Sequence, residues 1–143
     1  MAQFVVEGLD GLIHSMEALE NVTDEEWDGI LDEQANYLSD QLKLRGEAYG
    51  VGSGKLLQTI KPGKPKEAKN GGRQIVVSPR GKRIRGKKNP KAITNAQIAF
   101  HVNFGGKNTD PVPFWSDTVE ISAETLQSIA ANGVDGILKK RDL

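Results

Sequence analysis

The sequence predicts an α+β fold: a small antiparallel sheet with a long basic hairpin loop, packed against N-terminal and C-terminal helices. Three observations predict it. Apolar residues recur at helical spacings toward both ends of the chain. A β-prone run, QIVVS, occupies residues 74–78. A second apolar run, IAFHVNF, occupies residues 98–104, beyond a stretch dense in Lys, Arg, Gly and Pro. With 143 residues, 37% of them hydrophobic and only 6% aromatic, the chain is expected to form one domain, residues 1–143, around a modest aliphatic core.

Taken in order, residues 4–7 read as a short strand that Gly8 closes. Leu9, Leu12, Ile13, Met16 and Leu19 then recur three and four apart, one face of a helix expected to end near Asn21. Thr23 is the expected N-cap of a second, longer helix, with Asp24, Glu25 and Glu26 in its first turn, where the helix dipole favours negative charge. Trp27, Ile30, Leu31, Gln34, Leu38 and Leu42 carry its inner face to about Leu44, and its outer face is acidic. Gly46, Gly50, Gly52 and Gly54 end that helix and permit tight turns. A brief apolar segment covers residues 55–60, and residues 61–73, rich in Lys, Pro and Gly, read as loop.

The strands at 74–78 and 98–104 are expected to pair as a hairpin joined by a flexible basic loop at about 79–95. That is roughly twice the usual upper length for such a connection, and loops this long are commonly functional. Beyond a further loop at 105–113, Phe114, Trp115, Thr118 and Val119 sit at helical spacing. Ser122 is placed to cap a final helix whose stripe is Leu126, Ile129, Ala130, Val134, Ile137 and Leu138. Lys139, Lys140 and Arg141 finish it, where positive charge suits the dipole.

The formal net charge of zero conceals a strong segregation. Residues 1–60 carry 3 Lys/Arg against 12 Asp/Glu, residues 61–91 carry 12 against 1, and residues 92–143 carry 4 against 6. Such a chain has a dipolar field that favours head-to-tail contact between copies or docking onto charged partners. The absence of cysteine excludes disulfides, thiolate metal sites and a cysteine nucleophile. His14 and His101 have no second histidine at ligand spacing, so neither a metal nor a cofactor is expected. The N-terminus lacks the pattern of a signal peptide, and no run approaches a membrane span of about 20 apolar residues. The expectation is a protein made and kept in a cytoplasm.

Residues 50–55, GVGSGK, invite comparison with the phosphate-binding P-loop. That motif requires a glycine separated by four residues from its Gly-Lys pair and Ser or Thr after the lysine; Tyr49 and Leu56 stand there instead. Nucleotide binding is therefore not expected. Asp24, Glu25, Glu26, Asp28, Asp32 and Glu33 cluster at the start and outer face of one helix, where capping and solvation account for them. His101, between Phe100 and Val102 in the expected strand, reads as a structural or surface histidine. No acid/base pair or nucleophile constellation emerges, so no enzyme is expected. The basic loop offers Lys82, Arg83, Arg85, Lys87 and Lys88, flanked by Arg80 and Lys91. Three readings stand for it: neutralisation of nucleic-acid phosphates, docking onto an acidic surface of a neighbouring copy, or a solvated arm. No aromatic residue lies between Ile75 and Ala99, so base stacking is not supported.

Three segments, in order, resemble the tail-completion family of siphophage neck proteins. Residues 52–60, GSGKLLQTI, are similar to its Thr-Gly-x-Leu-x-x-Ser-Ile element. Residues 98–106, IAFHVNFGG, are similar to a strand ending in Glu-Phe-Gly-Thr, and residues 111–120, PVPFWSDTVE, to the Pro-x-x-Pro-Phe segment that opens the C-terminal helix. The opening VEGLDGLIHSMEAL, residues 6–19, also looks like the family's start. The chain departs from the pattern at Asn103, where the family has glutamate, at Gly106, where it has threonine, and at residues 48–51, which replace Ala-Pro-Val-Asp.

The resemblance implies a structural protein that joins neck to tail after DNA packaging, as a ring of copies, expected to be hexameric, around the DNA passage. The implied partners are neck and tail-tube or tail-terminator proteins, with DNA in the channel. The implied location is the virion, after assembly in the host cytoplasm. On this view the loop at 80–91 reaches a neighbour or the DNA, and a joining loop at 104–115, with Phe104, seats Phe114 and Trp115 against a helix or an adjoining subunit. The alternative is a nucleic-acid-binding module that uses the basic loop.

Overall fold

The computed structural model describes residues 20–51, 54–84 and 92–141. The strand and helix expected within residues 1–19 lie outside them. Helix α1 (Asp24–Ala48) starts where the sequence places it. Thr23 Oγ1 accepts from the Glu26 N–H at 3.1 Å while Glu26 Oε1 accepts from the Thr23 N–H at 3.1 Å, so two donors that the first turn leaves open are satisfied reciprocally. Next come α2 (Gly54–Gln58), β1 (Ile60–Pro62), β2 (Lys66–Glu67), β3 (Arg73–Gln74), β4 (Val77–Pro79), β5 (Lys82–Ile84), β6 (Ala92–Thr94), α3 (Asn95–Phe104) and α4 (Phe114–Lys140). The chain is α+β, with small antiparallel strand pairs packed against helices.

Helices α1 and α4 run antiparallel and form the most extensive contact between elements. Glu26 at the start of α1 meets Arg141 just past the end of α4, Gln34 Nε2 donates to the Leu126 carbonyl at 2.8 Å, and Tyr49 Oη donates to Asp117 Oδ2 at 2.6 Å. The buried residues of α1 include Ile30, Ala35, Ser39, Leu42 and Gly46, of which Ser39 Oγ donates to the Ile60 carbonyl of β1 at 3.4 Å and Gly46 lies against Leu57 of α2; those of α4 are Phe114, Thr118 and Ser122. Further along, Gly133 lies so close to Ile30 that a Cβ would stand 2.6 Å from the Ile30 Cγ1. Of the residues expected on the inner face of α1, Ile30 and Leu42 are buried, Leu38 packs against the core, and Leu31 and Gln34 are half-buried; Ala35 and Ser39, not expected there, are buried as well. Ser122, one turn beyond Thr118 on the same buried face, caps nothing, and α4 continues unbroken from Phe114.

The core lies at one end of this helix pair. Leu42, Val51, Leu56, Leu57, Ile60, Ala99 and Phe114 are its buried members. Phe114, 0% exposed, is the largest of the fully buried side chains, and Trp115 packs beside it, ring edge to face with centroids 6.1 Å apart. The apolar stripe from Leu126 to Leu138, distant from this core, is half-buried.

The strands form three two-stranded antiparallel ribbons, β1 with β4, β2 with β3 and β5 with β6. The run at 74–78 is therefore not one strand. Gln74 pairs with Lys66, whereas Val77 pairs with Pro62, and the chain changes partner between them. Residues 61–73, expected as loop, supply most of β1, all of β2 and part of β3, strands of two or three residues that Pro62, Gly63 and Pro65 hide from any alternation test. The larger correction concerns residues 98–104, which are helical. Thr94 caps α3 through Gln97, Thr94 Oγ1 accepting from the Gln97 N–H at 3.1 Å and Gln97 Oε1 from the Thr94 N–H at 3.0 Å. The hairpin in this region is β5–β6, with Lys82 opposite Thr94 and Arg83 opposite Ile93. Residues 79, 82–84 and 92–95, expected within the flexible loop, belong to regular elements.

Two ion pairs tie the start of α1 to the rest of the chain. Arg73 Nε and Nη2 donate to Asp28 Oδ1 and Oδ2, each at 2.8 Å, and Arg141 donates to Glu26. Both carboxyls are held below their ordinary values, Glu26 chiefly by the Thr23 backbone N–H and Asp28 chiefly by the Arg73 hydrogen bond. Depressed folded-state values mean that the unfolded chain binds protons first. This stabilisation is thus full above the unfolded-state values of about 4 and is lost as pH falls through the folded-state ones. The melting temperature of the Glu26→Gln/Asp28→Asn variant should accordingly fall less than that of the parent between about pH 6 and pH 3; parallel curves would refute the contribution. In urea titrations Phe114→Ala should lose about 3–5 kcal/mol, while Phe104→Ala should stay within about 0.5 kcal/mol of the parent.

Candidate functional site

Two exposed surfaces flank the core, one basic and one aromatic. The basic one is an open groove of about 630 Å³ between the β1–β2 segment and the end of β4, lined by Lys61, Pro62, Gly63, Lys64, Pro65, Lys66, Val76 and Arg80. Arg80 sits in the turn between β4 and β5 and is pinned through its backbone: its N–H donates to the Thr59 carbonyl at 2.8 Å, and its own carbonyl accepts from Asn95 Nδ2 at 2.6 Å. The Asn95 N–H also donates to the Gly81 carbonyl at 2.9 Å, so the first residue of α3 holds the whole turn. The Arg80 side chain is exposed, with Nη2 3.4 Å from the Val76 carbonyl.

Charge in this region is not cancelled internally. Among the residues whose side chains are described, Arg73 is the one cation of the 61–91 segment in an ion pair with a carboxylate; Lys61, Lys64, Lys66, Arg80 and Lys82 are exposed and make none. Asp32, Glu33 and Asp40 are likewise exposed along α1 and make no described ion pair. Of the basic residues singled out in the sequence, Arg80 lies in the groove, Lys82 is exposed on β5 and Arg83 has its backbone in β5. Arg85, Lys87, Lys88 and Lys91 lie outside the described residues. Lys61, Lys64 and Lys66 were missed as site residues, although the excess of positive charge beginning at Lys61 pointed to them.

The aromatic surface lies on α3. A helix places residues four apart on one face, so Ala99 and Asn103 turn inward while Phe100 and Phe104 project outward, 66% and 60% exposed, with ring centroids 4.7 Å apart. Beside them a cleft of about 330 Å³ is lined by Pro79, Ala96, Ala99, Phe100, Phe104 and Trp115, among others. Of the expected joining residues, Phe104 is at the surface, Trp115 is half-buried against the core and Phe114 is fully enclosed within its own chain. Phe100 was not singled out, and its signal was the four-residue spacing to Phe104. His101, expected in a strand, lies on the exposed side of α3 with its ring against Gly106.

Asn103 holds this arrangement together. Helix α4 begins after Pro113, which offers no side-chain cap. The buried Asn103 supplies one from α3: its Oδ1 accepts from the Trp115 and Ser116 N–H groups, each at 3.0 Å, and its Nδ2 donates to Ser116 Oγ at 2.8 Å. The neighbouring donors are also accounted for, since the Phe114 N–H reaches the Val112 carbonyl at 2.7 Å and the Asp117 N–H the Pro113 carbonyl at 3.0 Å. The loop at 105–113 can fold back this tightly because Gly105 adopts φ +75°. A Cβ there would also stand 2.7 Å from the Thr109 carbonyl oxygen.

Among the described residues no group of three or more His, Asp or Glu side chains is placed to hold a metal ion, and no helix is long and apolar enough to cross a membrane. Comparison with protein-family models, curated proteins and solved structures finds no match. Replacing Asn103 with Ala should remove the acceptor for two backbone N–H groups and lower stability by about 1–2 kcal/mol, measured by urea unfolding. An unchanged midpoint would show that α4 does not depend on this cap.

Proposed function

We propose that this chain is a structural protein of the bacteriophage neck, acting in tail completion or head–tail joining, without catalytic activity, as a ring of copies around the DNA passage. The observation that carries the proposal is the uncancelled charge. A subunit with exposed cations along its ribbons and exposed carboxylates along α1 leaves both signs to be satisfied by contacts outside itself. The order of the three motif-like segments along the chain supports the same reading, as does the exposed Phe100–Phe104 pair. Exposed aromatic pairs beside an apolar cleft are characteristic of contact surfaces.

In this proposal the β5–β6 hairpin, with Lys82 and Arg83 at its base, extends toward a neighbouring copy, six of which would close the ring. The face carrying Phe100 and Phe104 meets the neck, tail-tube or tail-terminator protein. The place of action is the virion, following assembly in the host cytoplasm. The backbone of α3 holds Phe100 and Phe104 while their side chains add little to the core, so substitution separates joining from folding. A Phe100→Ser/Phe104→Ser chain is expected to keep its circular dichroism spectrum but to be excluded from assembled particles, as read by mass spectrometry of purified virions. Incorporation at parental levels would remove the aromatic face from the proposal. Absence of the parental chain from particles that contain head, neck and tail proteins would overturn the function itself.

A further inference from the structure

We infer that the groove walled by Lys61, Lys64, Lys66 and Arg80 is a sequence-independent site for the phosphate backbone of duplex DNA. All four cations are exposed, line one cavity and make no ion pair among the described residues. The one carboxylate of the surrounding segment is directed elsewhere. Successive residues of a strand face opposite sides, and Glu67, next to Lys66 on β2, is paired across the ribbon with Arg73 and acts electrostatically on that guanidinium. Arg80 is held at its post by the Thr59 carbonyl on one side and Asn95 on the other, so this cation is presented from a fixed backbone.

The composition of the groove favours phosphate over an acidic protein surface. Protein interfaces are depleted in lysine and centre on buried aromatic or arginine anchors. Here lysine dominates, and the apolar lining consists of Pro62, Pro65 and Val76. Lysine and arginine contacts to phosphate need neither an apolar anchor nor base-edge partners. The absence of aromatic side chains from the lining argues against a stacked single strand and for a duplex whose bases stay paired. The inference stands on the groove and does not require the joining role. Loss of duplex binding with normal incorporation into particles would therefore sink it alone.

The test is fluorescence anisotropy of the full chain with a labelled mixed-sequence duplex of roughly 20 base pairs, over a salt series from about 50 to 200 mM. Four phosphate contacts correspond to a slope of log affinity against log salt of about −3.6, an affinity loss of roughly a hundredfold across that range. The Lys61→Gln/Lys64→Gln/Arg80→Gln variant should lose about three-quarters of that slope, whereas Lys139→Gln/Lys140→Gln, at the far end of α4, should keep it. A polyglutamate peptide of matched charge serves as the competing ligand. The inference is overturned if the parent does not bind the duplex, if the groove variant keeps the parental slope, or if polyglutamate binds the parent more tightly than the duplex and loses that binding in the groove variant. If the triple variant loses its helical spectrum, Lys64→Glu replaces it, with an expected loss of at least one unit of slope; an unchanged slope overturns the inference equally.

Discussion

Helices α1 and α4 lie close enough for a side-chain amide of one to reach a backbone carbonyl of the other, and the remaining architecture is arranged around that approach. Where Ile30 meets α4 it is possible because Gly133 stands opposite, and a larger residue there would collide with the Ile30 side chain. The buried residues of α4 beyond Phe114 are the small Thr118 and Ser122, which suits a chain only 6% aromatic. The seam runs at one end into the core, where Phe114 fills the space among Leu42, Leu57 and Ile60. Without Phe114 the first turn of α4 would lose its anchor, and α2, α3 and the first ribbon would lose the surface on which they meet.

The link between α3 and α4 adds a second constraint. Pro113 cannot cap α4 with a side chain, and the turn at Gly105 returns the chain so that Asn103 does so from the preceding helix. An inward Asn103 requires an inward Ala99 one turn earlier, and that places Phe100 and Phe104 outside. The exposed aromatic face is therefore a geometric consequence of the cap. The hydrogen bonds that start α4 also hold Phe100 and Phe104 at the surface.

Electrostatics divides the chain differently from packing. One bidentate pair, Arg73 with Asp28, fastens the basic ribbons to the acidic helix, and Arg141 with Glu26 fastens the far ends of the two long helices. Lys61, Lys64, Lys66, Arg80 and Lys82 and the carboxylates at Asp32, Glu33 and Asp40 stay in solvent. Exposed like charges on short ribbons repel one another, so a bound anion would relieve the ribbons in the same step in which it is recognised.

Features that depend on a few consecutive residues were legible without coordinates. Thr23 with Glu26 announced the start of α1, the periodic stripe at 126–138 announced the C-terminal helix, and the charge counts announced a basic segment next to an acidic helix. Features that depend on who pairs with whom were not. IAFHVNF is apolar enough to serve as strand or helix, and the decision fell to the capping pair Thr94 and Gln97, which precedes the run. Strands of two or three residues have no period to detect, and Lys61, Lys64 and Lys66 face Arg80 only because β1 pairs with β4 across a gap in sequence. The sequence alone determined composition, charge distribution and the start of α1, because these arise from neighbouring residues. Only the tertiary structure decided which cations share a groove, which phenylalanines face solvent and which side chain caps α4, because each of those depends on contacts between segments far apart along the chain.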